Sequence, residues 1–380
     1  MQARYTANFR DEQNGAAPLG DNDTTLGFSI PRAQIRINGQ VTDNISGRVV
    51  FDFGDAELAG RNTAGTATLL EAYGAWAVND EFTLLIGQWH NPVVGEEYIA
   101  PEKGLAVERS VTNEFFNPGY TQGVAGIFSG DNWRFIVAVA DGATYYGDAG
   151  SINSPFNSSG ENDFGITGRF DYVVSGTWDQ FGDFTSWRGS NYGLKLGAGG
   201  HWQTQGNTNP GTIPNTILGS LDEMDITLWT VDAMVQGDGW NAFVQYIGHL
   251  IDPTPTTGTL PDFTNHGVIV QGGVFVNDQT ELFARYDAIF LDDVLEGLTG
   301  GTESDLHFLT AGFNYYLVPE SHAAKFTADI LYSLSDTSVL DAFDLNADGA
   351  GPGDFNGPTT GLLGLSDGEF AVRGQMTLVF

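Results

Sequence analysis

Apolar and polar positions alternate along most of this chain with a period of two. Residues 164–172 set Phe164, Ile166, Phe170 and Tyr172 on one side and Thr167, Arg169 and Asp171 on the other. Residues 282–290 oppose Leu282, Ala284, Tyr286 and Phe290 to Arg285 and Asp287. Residues 324–332 oppose Ala324, Phe326, Ile330 and Tyr332 to Lys325, Thr327 and Asp329. This period predicts β-strands with one face against an apolar medium. Sixteen such segments are expected: 3–10, 24–39, 45–54, 68–78, 81–91, 119–128, 132–141, 163–174, 191–204, 225–236, 239–250, 266–276, 279–290, 305–317, 322–334 and 368–380.

The connections alternate in length. Short ones such as Asn79-Asp80, Gly130-Asp131, Gly237-Asp238 and Asn277-Asp278 carry residues that tolerate tight hairpins. Long ones, at 11–23, 55–67, 92–118, 142–162, 205–224, 251–265, 291–304 and 335–367, hold most of the Gly, Pro, Asn and Asp. Opposite charges recur mid-strand on the polar face, which a dry sandwich core could not hold unpaired but a water-filled lumen could. The pattern therefore predicts an all-β fold: one domain, 1–380, forming a 16-stranded antiparallel up-and-down transmembrane β-barrel with long extracellular loops and short periplasmic turns. Segment 175–190 is too long for a tight turn, so it is either an ordered insertion at the periplasmic rim or a register slip. The last strand places Phe370, Val372, Met376 and Leu378 on one face and stops at Phe380. Such a strand suits lipid on one side and closure against the stretch around 3–10.

Composition narrows the classes. No run of 18 apolar residues exists, so no spanning helix is expected. Cysteine is absent, which removes disulfides and thiolate chemistry. Forty-eight acids against 15 bases give a net charge of −33, which argues against nucleic-acid binding. Met1–Tyr5 lead straight into alternation rather than a secretory leader, as in a mature exported chain. The six histidines form no metal-spaced pair and no Gly-x-Ser-x-Gly elbow occurs, so no enzyme is expected.

Strand parity directs Arg36, Arg48, Arg134, Arg169, Lys195, Arg285, Lys325 and Arg373 into the lumen, and Lys103 and Arg109 sit in loop 92–118. These ten are the candidate pore-lining and selectivity residues, because rings of lumen charge tune permeation. Loop 92–118 also carries Tyr98, Ile99, Leu105, Val107, Phe115 and Phe116, which would be wet at a surface. Folding inward would bury them and narrow the pore; a subunit contact is the alternative.

The segments Arg32–Gly39, Val49–Phe53, Leu70-Glu71-Ala72-Tyr73, Leu85–Trp89 and Glu108-Arg109-Ser110 follow in an order that resembles the phosphate-selective porin O and P family, most closely over residues 30–140. The resemblance implies a sixteen-stranded outer-membrane porin of a Gram-negative-type bacterium, normally a homotrimer, with its third loop in the pore and basic residues conferring anion selectivity. This chain departs from that pattern by lacking an arginine-rich cluster. The expected function is passive diffusion of small hydrophilic solutes or ions. The alternative is a structural, adhesion or surface-layer-anchoring barrel with a narrow lumen.

One motif points to a cofactor. Asp344-Leu345-Asn346-Ala347-Asp348-Gly349 has the D-x-N-x-D-G form of a calcium loop, with Asp354 following; position twelve holds Phe355 instead of glutamate. Asp344, Asn346, Asp348 and Asp354 are the candidate Ca2+ ligands, against a solvated Asn/Asp/Gly loop. Divalent ions could also bridge the acidic loops to lipopolysaccharide.

Overall fold

The structure is a computed structural model that describes residues 1–9, 24–54, 67–142, 162–206, 213–215, 218–299, 305–336, 360–362 and 368–380. Its strands are β1 (Gln2–Phe9), β2 (Thr24–Arg32), β3 (Gln34–Thr42), β4 (Ile45–Asp52), β5 (Thr68–Ala77), β6 (Phe82–His90), β7 (Tyr120–Ser129), β8 (Trp133–Ala140) and β9 (Asn162–Ser175). They continue as β10 (Gly193–Gln205), β11 (Ile213–Asn215), β12 (Gly219–Gly237), β13 (Trp240–Pro255), β14 (Phe263–Phe275), β15 (Thr280–Phe290), β16 (Asp305–Tyr316), β17 (Ala324–Ser333) and β18 (Phe370–Leu378). Successive strands pair antiparallel, and β18 closes on β1 in an unbroken register from Gln2↔Thr377 to Phe9↔Phe370. The β18–β1 seam pairs the first and last strands inside the ladder, as a bilayer demands; among the described residues β2 pairs only with β1 and β3 only with β4.

The expected strand at 24–39 is two segments in line. β2 pairs with β1, β3 pairs with β4, and Ala33 joins them. Counted as one, they leave seventeen strands, of which β11 is a three-residue flap on the end of β12. The spanning wall is therefore the expected sixteen. β12 and β13 run further into the long-loop side than their alternation suggested, to Gly219 and Pro255. The candidate calcium residues Asp344, Asn346, Asp348 and Asp354 lie outside the described residues, as does most of 335–367.

Turn chemistry fixes the tight rim. The Asn277 carboxamide oxygen accepts from the Gln279 and Thr280 amides, both at 2.9 Å, and Asn79 does the same for Glu81. These Asx turns reverse the chain within two residues. Gly87, at φ 134°, lies so close to the neighbouring strand that a Cβ would meet the Ala72 carbonyl oxygen at 2.2 Å, so only glycine fits. Outward positions are exposed and apolar, among them Ile86, Val139, Ile166, Val231, Val270 and Ile330. Those side chains form the surface offered to lipid. Among the described residues no helix is long and apolar enough to cross a membrane.

The hydrophobic core lies inside the barrel. Val93, Val94, Ile99, Leu105, Val111, Phe115 and Phe116 of the loop after β6 pack on inward residues such as Phe243, Ile247, Ile269, Ile289, Phe308 and Leu331. Phe181 and Phe184, from the connection after β9, join the same cluster. Segment 175–190 is thus an ordered insertion and not a register slip. Its Trp187 ring meets Tyr316 edge-on at 4.7 Å, and Thr185 Oγ1 lies 2.9 Å from the Tyr316 hydroxyl.

Candidate functional site

The loop after β6 is held on one side of the lumen by the polar groups that the alternation turned inward. Arg169 Nη1 and Thr230 Oγ1 donate to the Val93 carbonyl at 3.0 and 2.9 Å. Gln245 accepts from the Glu96 amide, and Lys325 Nζ donates to the Gly104 carbonyl at 2.7 Å. Asn314 donates to Leu105, Asp329 accepts from the Val107 amide, and Arg285 donates to the carbonyls of Glu108 and Arg109. Asp287 accepts from the Thr112 amide at the start of a short helix, α1 (Val111–Phe116), which Ser110 caps through the Asn113 amide. A buried irregular loop must satisfy its backbone groups somewhere. Here the inner faces of β9–β18 do so.

Carboxylates of the loop meet the remaining guanidinium groups. Glu108 lies buried between Arg4 (2.8 Å) and Arg32 (2.8 and 2.9 Å), so β1 and β2 grip the loop where the barrel closes. Burial opposes ionisation of Glu108, but Arg32 and Arg4 outweigh it and hold the carboxyl well below the usual carboxylate range. Glu97 takes Arg109 and His90, each at 2.8 Å; burial pushes its carboxyl up, these two partners pull it down further, and it settles at about 2. Glu96 faces Arg285 at 3.6 Å and also contacts Ser110, yet burial wins and raises its carboxyl. Glu114 is pushed up to about 8, first by burial and then by the charges of Glu108 and Glu97.

The ten basic candidates separate by position. Arg169 pairs with Asp171 and Asp232, Arg373 with Asp329, and Arg285 with Glu96 and Asp287, all beneath the loop. Lys195 reaches Asp171 at 4.0 Å, and Lys325 holds the loop backbone. Arg109 is tied to Glu97 inside the loop, while Lys103 Nζ lies 3.4 Å from the Gly182 carbonyl of the periplasmic-rim insertion. Arg36 pairs with Glu102 of the loop, Arg48 with Glu71 at 2.5 Å, and Arg134 lies 4.6 Å over the Trp178 ring. Only these last three stand on β3–β8, the half of the wall that the loop does not cover. Nothing in the sequence links Arg4 and Arg32 to Glu108; more than seventy residues separate Arg32 from it and more than a hundred separate Arg4.

On that uncovered side the lumen retains space. A cavity of about 260 Å3 lies between loop residues Pro92 and Tyr98 and the inner faces of β4–β8. A second, of about 210 Å3, lies where Arg32, Gln34 and Arg36 face Glu102 and the last residues of β18. Among the described residues no cluster of His, Asp and Glu is arranged to hold a metal ion.

Comparison with known proteins matches residues 2–217 to the model of a family described as phosphate-selective porin O and P. No curated protein sequence matches the chain. Solved structures with the same fold include the channel DcaP of Acinetobacter baumannii (14% identity, 99% of this chain and 95% of that one, TM-score 0.59). A loop-deletion form of OmpT of Vibrio cholerae matches at 13% identity, 99% and 96% coverage and TM-score 0.58. The anion-selective porin of Comamonas acidovorans matches at 11% identity, 99% and 95% coverage and TM-score 0.58.

Proposed function

The chain belongs to the phosphate-selective porin O and P family, and from that premise we propose how its channel works. It is an outer-membrane porin, a β-barrel channel for passive diffusion. Small hydrophilic solutes pass through a crescent bounded by the inner faces of β3–β8 on one side and by the outer surface of loop 92–118 on the other. One observation carries this reading: the loop is bonded to the inner faces of β9–β18 and leaves the opposite half of the lumen uncovered. The loop is the constriction, and it is rigid because its backbone is fastened at many points.

Charge selectivity in this reading is weak. Two of the three bases on the crescent are matched by carboxylates, Arg36 by Glu102 and Arg48 by Glu71, and Arg134 lies over the Trp178 ring, so the passage carries little net charge although the family is named for phosphate. The channel works as a homotrimer, as OmpT of Vibrio cholerae does in its trimer form. The outer faces of β2 and β3 (Leu26, Phe28, Ile35, Ile37) supply an apolar contact surface for the neighbouring copies. Single-channel recording after insertion into a planar bilayer tests the function. Stepwise ohmic conductance is expected; a silent protein would refute it and favour an anchoring barrel.

A further inference from the structure

The crescent has an unusual wall. On β6, β7 and β8 the exposed outer positions include Ile86, Val124, Phe135 and Val139. By alternation the inner positions are Leu85, Ala125, Ile127, Ile136 and Ala138, and these are apolar too. Leu85, Trp89, Ala125 and Ala138 form a second hydrophobic cluster, separate from the core under the loop, with Tyr73 and Ile127 packed against it. Among the described residues no loop segment caps this cluster as the loop caps the larger one. Instead the 260 Å3 cavity borders it, with Leu85, Ala125, Ile127 and Ile136 on one side and Tyr98, 40% exposed, across from them. At the edge of the same cavity stands the Arg48–Glu71 pair, whose side chains keep 31% and 18% of their surface open to water.

We infer that this cavity is a binding subsite in the channel for small amphipathic zwitterions, with hydrophobic α-amino acids as the model ligand. The inference rests on the porin reading above. The apolar floor takes the side chain, because moving it from water onto Leu85, Ile127 and Ile136 is favourable in proportion to the area covered. The Arg48 guanidinium donates to the carboxylate, and the Glu71 carboxylate accepts from the ammonium group. An ion pair that is partly open to water can exchange its partners at small cost, since it contributes little while solvated. The subsite is shallow, so a bound solute remains able to leave, as conduction requires. Water lining this stretch gains few hydrogen bonds from the wall, so a solute with an apolar face displaces it more readily than a wholly polar one.

The test records single channels in potassium chloride while L-leucine or L-asparagine is added. The two are close in mass, and leucine is no smaller, so sieving alone favours asparagine. Leucine should reduce the ion current at a concentration about fourfold lower than asparagine, the factor expected for roughly one methylene taken out of water. Ile127→Asn should bring the two half-blocking concentrations together. Equal block by both amino acids in the wild-type channel would overturn the subsite and leave the porin reading intact. A protein that conducts nothing would overturn both. The wild-type comparison stands without the variant, so a poorly folding Ile127→Asn would not shelter the inference.

Discussion

Glu108 is the residue whose loss should be felt most. Its carboxylate is the counterion of both Arg4 and Arg32, and all three side chains are nearly inaccessible to water. Glu108→Gln keeps the shape and one acceptor but removes the negative charge from two buried ion pairs at once. Breaking a buried pair in this way costs about 3–5 kcal/mol. The barrel should still assemble, because β1 stays paired with β18 and β2 through its ladder. The loop should not detach either, because Arg285 and Lys325 hold its backbone at 3.0 and 2.7 Å. The expected change is local: residues around Val107 and Glu108 lift, conductance rises and fluctuates, and the reversal potential in a salt gradient moves towards anions. The acid response follows from the same pair. A carboxyl depressed in the folded state contributes stability that is complete above the unfolded value, near 4.3, and is lost only as pH falls through the lower folded value. Wild type should therefore keep its conductance at about pH 4, where an unpaired glutamate would already be half protonated. Bilayer recording of both proteins decides the matter. Unchanged conductance and reversal potential in Glu108→Gln would refute the idea that this charge latches the loop.

Three further perturbations follow. Arg48→Ala strips Glu71 of its partner in the crescent, so the reversal potential should move towards cations; an unaltered potential would remove Arg48 from the pathway. Glu114 is held at about 8, so between its unfolded value and that pH the folded chain retains a proton that the unfolded chain has released. Stability should then decline as pH rises from about 4.5 to 8, and Glu114→Gln should make that slope shallower in thermal melts in detergent. A wild type whose melting midpoint does not vary with pH would contradict this. Replacing residues 177–190 by a two-residue turn removes Phe181 and Phe184 from the loop's packing and the Gly182 carbonyl from Lys103. Larger and noisier conductance is expected, and unit conductance identical to wild type would show that the insertion gives the loop no support.

Much of the wall was legible because a membrane barrel repeats one local rule. Each strand alternates, each tight turn carries its Asn, Asp or Gly, and each choice can be made without knowing its neighbours. Ile330 and Tyr332 face outward and Asp329 inward as their spacing demands. Alternation also signalled its own exceptions. Phe135–Ala140 is apolar at every position, and an apolar residue at an inward position must be covered or border something apolar. On β8 such residues border the cavity, whereas on β13–β17 Phe243, Ile269 and Phe308 lie under the loop. Either environment satisfies the same sequence pattern.

Alternation alone dictates which residues point inward and which point to lipid, because the side-chain period of a strand is set by its backbone. What the inward charges do depends on how the chain closes in space. Arg169, Arg285, Lys325 and Arg373 were placed in the lumen by parity, but closing the barrel and folding the loop across half of it turned them from water-facing charges into buried anchors. The join of Arg4 and Arg32 to Glu108 depends on the contact between the first strands and a loop about a hundred residues away. A charge's partner is fixed by distance in space and by the dielectric around it, and neither is a property of position along the chain.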